Sequence, residues 1–137
     1  MAERPIDPLQ RKDEADLVLE RAADRLRALL RDAARELDPF PPFPGSFFTL
    51  AIEVEPGPAA SPDRGCVVVC PDGELRELLM GVDLEDAALS GWQDPVSMRK
   101  EELREIQLHP RDYIVYAYEA LTRITELLLE RQGEAGR

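Results

Sequence analysis

The chain has no asparagine, one histidine, two cysteines, two lysines beside fifteen arginines, and only 6% aromatic residues. Most of these scarcities remove a class of function. A single histidine rules out a metal cage built on several imidazoles. Two cysteines rule out a disulfide framework or a zinc ribbon. Cys66 and Cys70 flank Val67-Val68-Val69; on an extended strand they share a face about 13 Å apart, beyond the ~7 Å that a disulfide tolerates. They read as small buried hydrophobes. The eight glycines are scattered, so there is no phosphate-cradling loop. Ser46, Ser61, Ser90 and Ser97 lie in loops or at element edges, and none sits in a nucleophile elbow. No apolar run approaches the ~18 residues of a membrane span. The missing asparagine fits a GC-rich genome or a warm habitat and says little about function.

Positive charge is also short. The 28 acidic side chains outweigh 17 basic ones for a net charge of −11. Phosphate binding needs an attracting field, so neither nucleic acid nor an anionic membrane is an expected partner. The basic clusters, Arg21–Arg25–Arg27–Arg31–Arg35 and Arg99–Lys100–Arg104, stand beside acids at helical spacing and read as solvated ion-pair faces. The start, Met1-Ala-Glu-Arg-Pro-Ile-Asp-Pro, carries no apolar run, so a cytoplasmic chain without a signal peptide is expected.

What is present is periodic aliphatic content, 44% hydrophobic over 137 residues, enough for one domain with its own core. The expected organisation is a flexible arm over 1–12, a single α+β domain over 13–131, and a flexible tail over 132–137. Ala15, Val18, Ala22, Leu26, Leu29, Ala33 and Leu37 are spaced 3-4-4-3-4-4 and predict a long N-terminal helix over 13–37. Asp13 is its expected cap and Pro39 its stop. Leu17, Leu19 and Leu30 widen the stripe. A helix this long, with an apolar face this wide, predicts a partner helix from a second copy.

Residues 38–45 read as a stiff connector whose Phe40 and Phe43 pack on the core. Phe48, Leu50, Ile52 and Val54 alternate along a first strand, with the apolar face inward. Cys66 to Cys70 is a second, internal strand, and Pro71-Asp72-Gly73 a tight turn. Residues 74–82 admit helix or strand; the short turn before them favours a third strand. A short helix is expected over 84–89. Residues 98–104 read as helical or irregular and 104–108 as a fourth strand. Ile114, Ala117, Leu121, Ile124 and Leu128 predict a C-terminal helix from Pro110 to about Arg131, ended by Gly133 and packed on the sheet. The fold class is therefore α+β, with a long N-terminal helix, an antiparallel sheet of three to four strands and a C-terminal helix. In this order of elements and in its acidity, the chain resembles secretion chaperones, acidic α+β dimers that hold an unfolded segment of a partner; the resemblance covers no motif.

Candidate contact residues are Trp92, Tyr113, Tyr116 and His109. The tyrosines and Trp92 could line a pocket or anchor a protein contact, and His109 stands at a helix entrance. Asp83, Glu85, Asp86 and Asp94 form an acidic cluster without the spacing of a calcium loop. No cofactor, metal ligand set or catalytic group is expected. The long first helix, the wide apolar faces of both terminal helices and the lack of catalytic groups in the sequence thus suggest a non-catalytic protein-interaction domain acting as a homodimer through helix 13–37. The alternatives are a small-molecule-sensing domain with an aromatic pocket, or a metal-dependent hydrolase using the Asp83–Asp94 cluster.

Overall fold

A computed structural model describes residues 7–54, 66–82 and 99–135. The chain is α+β: helix α1 (Pro8–Glu36), strands β1 (Ile52–Glu53), β2 (Cys66–Val69), β3 (Leu75–Val82) and β4 (Arg99–Glu105), then helix α2 (Pro110–Ala135). The four strands form one antiparallel sheet in sequential order. The short helix expected over 84–89, Trp92 and the Asp83–Asp94 cluster lie outside the described residues.

Helix α1 begins five residues before the expected start. Asp7 caps it, its carboxylate accepting from Leu9 N–H at 3.1 Å, and Pro8 takes the first helical position, where a missing N–H costs nothing. Residues 8–12 are therefore helix rather than arm. At 1.5 Å per residue α1 is about 43 Å long. Its buried face is Ala23, Leu30 and Ala34, joined by Leu37 at the C-cap and flanked by Leu26 and Ala33. Relative to the expected stripe this face is turned toward Ala23 and Leu30, so that Val18 and Leu29 face outward.

Helix α2 starts where expected but continues through Gly133 to Ala135, so part of the expected tail is helical. Arg27 of α1 lies against Tyr113 near the start of α2, and Arg131 near its end donates to the Pro39 carbonyl just past α1. The two helices therefore run in the same direction, with α2 also touching the sheet at β1. Between them and the sheet lies the main core, in which Leu30, Leu37, Ala117, Ala120 and Ile124 meet Val54, Val69 and Leu75. Ala34, Ala117 and Ala120 are small, which lets the helix backbones approach closely.

Register explains the second core. Val69 pairs with Leu75 and Val68 with Arg76, so alternate residues of β2 point to opposite faces. Val69 and Leu75 face the helices; Val68, Cys70 and Leu78 form a smaller cluster on the outer face, covered by Phe43 and Ala51. The expected internal character of β2 and the packing of Phe40 and Phe43 are found as read.

The first strand is shorter than its alternation predicts. The ladder to β2 holds Ile52 and Glu53, and Val54 N–H beside it donates to the Val67 carbonyl at 2.8 Å; upstream there is a lone bridge between Pro42 and Leu50. The segment 41–51 forms a small hairpin: Ala51 N–H donates to the Pro41 carbonyl at 3.1 Å, and Phe43 N–H to Thr49 at 2.9 Å. Prolines keep their acceptors while lacking donors, so the connector can form an edge arm but not a central strand. Gly45, at φ 84°, makes the bend. Ile52 and Val54 turn inward, while Phe48 is 70% exposed and Leu50 also faces out.

Residues 99–104 are strand, not helical or irregular as expected, and the fourth strand expected over 104–108 ends at Glu105. The register runs without a break from Arg76↔Glu105 to Val82↔Arg99. A complete ladder offered by β3 overrides the helical propensity of the Glu- and Arg-rich segment. The third strand itself is found as read.

Candidate functional site

The residues singled out from sequence do not form one site. His109 is exposed at the entrance of α2, where its carbonyl accepts from Asp112 and Tyr113 N–H and its Nδ1 accepts from Arg111 N–H at 3.1 Å. It serves as a helix cap, satisfying donors that the first turn leaves open. Tyr116 is half-buried against the main core. Tyr118, which the spacing sets apart from the other two, is exposed. Trp92 is outside the described residues, so its proximity to the tyrosines is not part of the geometry.

Tyr113 does line a cavity. Together with Arg27, Glu74, Leu75, Ile106, Gln107 and Leu108 it bounds about 380 Å³ between α1, the β2–β3 turn and the entrance of α2. The Arg27 guanidinium sits 4.7 Å from the Tyr113 ring centre, a cation–π contact. Burial pushes the Tyr113 hydroxyl up from its ordinary pKa, against the opposing pull of Arg27. The charges here are already matched: Arg27 pairs with Asp24 at 3.2 Å, and Arg31 with Glu74 at 3.0 Å. Arg27 could not be singled out from sequence, because its partner ring lies on the other terminal helix.

The turn beside this cavity is rigidly built. Asp72 accepts two hydrogen bonds from Arg76, at 3.0 and 2.7 Å, which hold its carboxyl below the usual carboxylate range. Burial pushes the Cys70 thiol up, although Arg76 nearby works the other way. Gly73 has φ 82°, and a Cβ there would meet the Arg31 backbone at 2.6 Å. Only glycine lets the turn seat directly on α1.

On the outer face of the sheet, Glu101 organises the loop 46–49. Its carboxylate accepts from the backbone N–H of Phe47 and Phe48 and from the hydroxyls of Ser46 and Thr49. Burial alone would push this carboxyl up, but those four donors outweigh it and the pKa lies below the usual value. The loop so held presents Phe47 and Phe48, and Leu50, Met80 and Leu103 are likewise exposed.

A second set of exposed apolar residues runs along the terminal helices. Residues 8–18 of α1 are exposed apart from half-buried Asp16. Val18 is 64% and Leu29 39% exposed. Next to Leu29, a groove of about 530 Å³ opens between the helices, floored by Ala33, Leu121 and Leu128 and rimmed by Asp32, Glu36, Leu129 and Gln132. Leu129 on its far rim is 60% exposed.

Among the described residues no group of three or more His, Cys, Asp or Glu is placed to hold a metal, and no helix is long and apolar enough to cross a membrane. Compared with family models, with curated proteins and with solved structures, the chain matches none.

Proposed function

We propose that this protein is a non-catalytic protein-interaction domain of the cytoplasm that acts as a homodimer, with α1 and the neighbouring groove as the contact surface. The observation that carries the reading is the split of the α1 stripe. Leu26, Ala33 and Leu37 are taken up by the main core, while Ala15, Val18 and Leu29 remain exposed and lead into the groove beside α2. Exposed aliphatic side chains on two neighbouring helices with a groove between them are the kind of surface that association buries. The sheet offers a poorer surface. Its β4 edge reads Arg-Lys-Glu-Glu-Leu-Arg-Glu, a charged edge of the sort that opposes strand pairing, and its β1 edge is two residues long.

The test is the mass in solution by light scattering on a sizing column. The wild type is expected at twice 15.4 kDa, and Val18→Asp at the single-chain mass with an unchanged far-UV spectrum. A wild type that elutes as a single chain at tens of micromolar overturns the reading. The cavity at Tyr113 supports a second reading, a small-molecule-sensing domain, but its two cationic and anionic linings are already engaged with Asp24 and Arg31. The helical surface carries more weight.

A further inference from the structure

We infer that the two copies pair with their α1 helices antiparallel, about a two-fold axis that passes between Ala28 and Leu29, so that Arg25 faces the partner's Asp32 and Arg21 faces the partner's Glu36. This rests on the dimer reading above and specifies its geometry. The four charges lie on one flank of α1: at ~100° per residue they fall within an arc of about 60°, next to Val18 and Leu29. All four are exposed, and none makes an ion pair among the described residues, whereas Lys12, Arg27 and Arg31 of the same helix do.

Within one chain this flank carries like-charge neighbours. Arg21 and Arg25 are like charges at i,i+4, as are Asp32 and Glu36, and such pairs repel along a helix. The order is two positive, then two negative. Read backwards it is its own complement, so a second copy running the opposite way matches every charge. A copy running the same way sets Arg against Arg and Asp against Asp. When two helices pack antiparallel, each flank meets the same flank of its partner, which is the arrangement that these four residues need. Both predicted pairs share one midpoint, between Ala28 and Leu29. A single rigid placement therefore satisfies all four pairs of the symmetric dimer.

The apolar residues agree with that placement. The same axis sets the partner's Val18 about one turn beyond Glu36, the last residue of α1, and Glu36 lines the groove together with Leu128 and Leu129. Val18 of each copy thus reaches the groove end of the other, where Leu129 is exposed. Two of the most exposed aliphatic side chains on the helices cover each other, twice by symmetry.

Charge-block variants test this by sedimentation, with circular dichroism as the check on folding. The pair Arg21→Glu with Arg25→Glu, and separately Asp32→Arg with Glu36→Arg, should each weaken the dimer at least about tenfold. Combining all four substitutions should restore wild-type affinity, and mixing the two double variants should give a heterodimer. A wild-type dimer that neither double variant weakens, or whose affinity the combined four substitutions do not restore, overturns the antiparallel alignment and leaves the dimer reading standing. A monomeric wild type removes both.

Discussion

Two side chains carry contacts that their neighbours in sequence do not announce. Gly73 sits where the β2–β3 turn meets the α1 backbone, with φ 82° and no room for a Cβ beside Arg31. Gly73→Ala must both adopt a left-handed backbone and push α1 away, so it should lower the unfolding free energy by about 2–4 kcal/mol, read by urea denaturation. The turn was legible as Pro-Asp-Gly; the close approach of the helix, 42 residues earlier in the chain, was not. Glu101 is the second case. Its pKa is depressed in the folded protein, so its contribution is fully present above the unfolded carboxylate value and is lost as pH falls through the lower, folded value. Glu101→Gln should therefore cost about 1 kcal/mol at pH 7, after allowing for solvent screening. That gap to the wild type should narrow as the pH falls below the ordinary carboxylate range and close once the carboxylate is protonated in the folded protein; a gap that acid leaves unchanged contradicts the role given to the carboxylate. His109, by contrast, was readable as a helix entrance making a local hydrogen bond, because the following proline forbids continuation of a helix through it.

At the scale of elements, periodicity found both helices and missed the ends. Asp7 followed by Pro8 was the signal for the true start of α1, and it was present in the sequence. The stripe was read about one helical position away from the face that is buried, because the apolar residues of α1 cover a wide arc and only packing decides which part turns inward. The consequence is a contrast within one helix. Leu30 is fully buried, so Leu30→Ala should cost about 2–5 kcal/mol. Val18→Ala should leave the unfolding free energy of the isolated chain within about 0.5 kcal/mol, measured at concentrations low enough to prevent association. Strand β4 was misread for the opposite reason: its residues favour helix locally, and what makes it a strand is the partner ladder on β3. The loss of most of the first strand has a similar cause. Glu101 draws the loop 46–49 to the outer face, and no local pattern in Phe47–Leu50 encodes that pull.

For the molecule as a whole, the antiparallel sheet and the two terminal helices follow from pattern and turn chemistry, while the relation between the helices does not. Their common direction depends on contacts between Arg27 and Tyr113 and between Arg131 and Pro39, each spanning most of the chain. That arrangement leaves the first half of α1 without a covering element among the described residues and opens the groove at Leu29. The account therefore stands on whether that surface is buried against a second copy. Sedimentation equilibrium over a dilution series measures this directly. The wild type should fit a reversible monomer–dimer equilibrium, and Leu29→Asp, with its thermal unfolding retained, should sediment as 15.4 kDa throughout. A wild-type protein that stays at 15.4 kDa across the whole series would contradict the account.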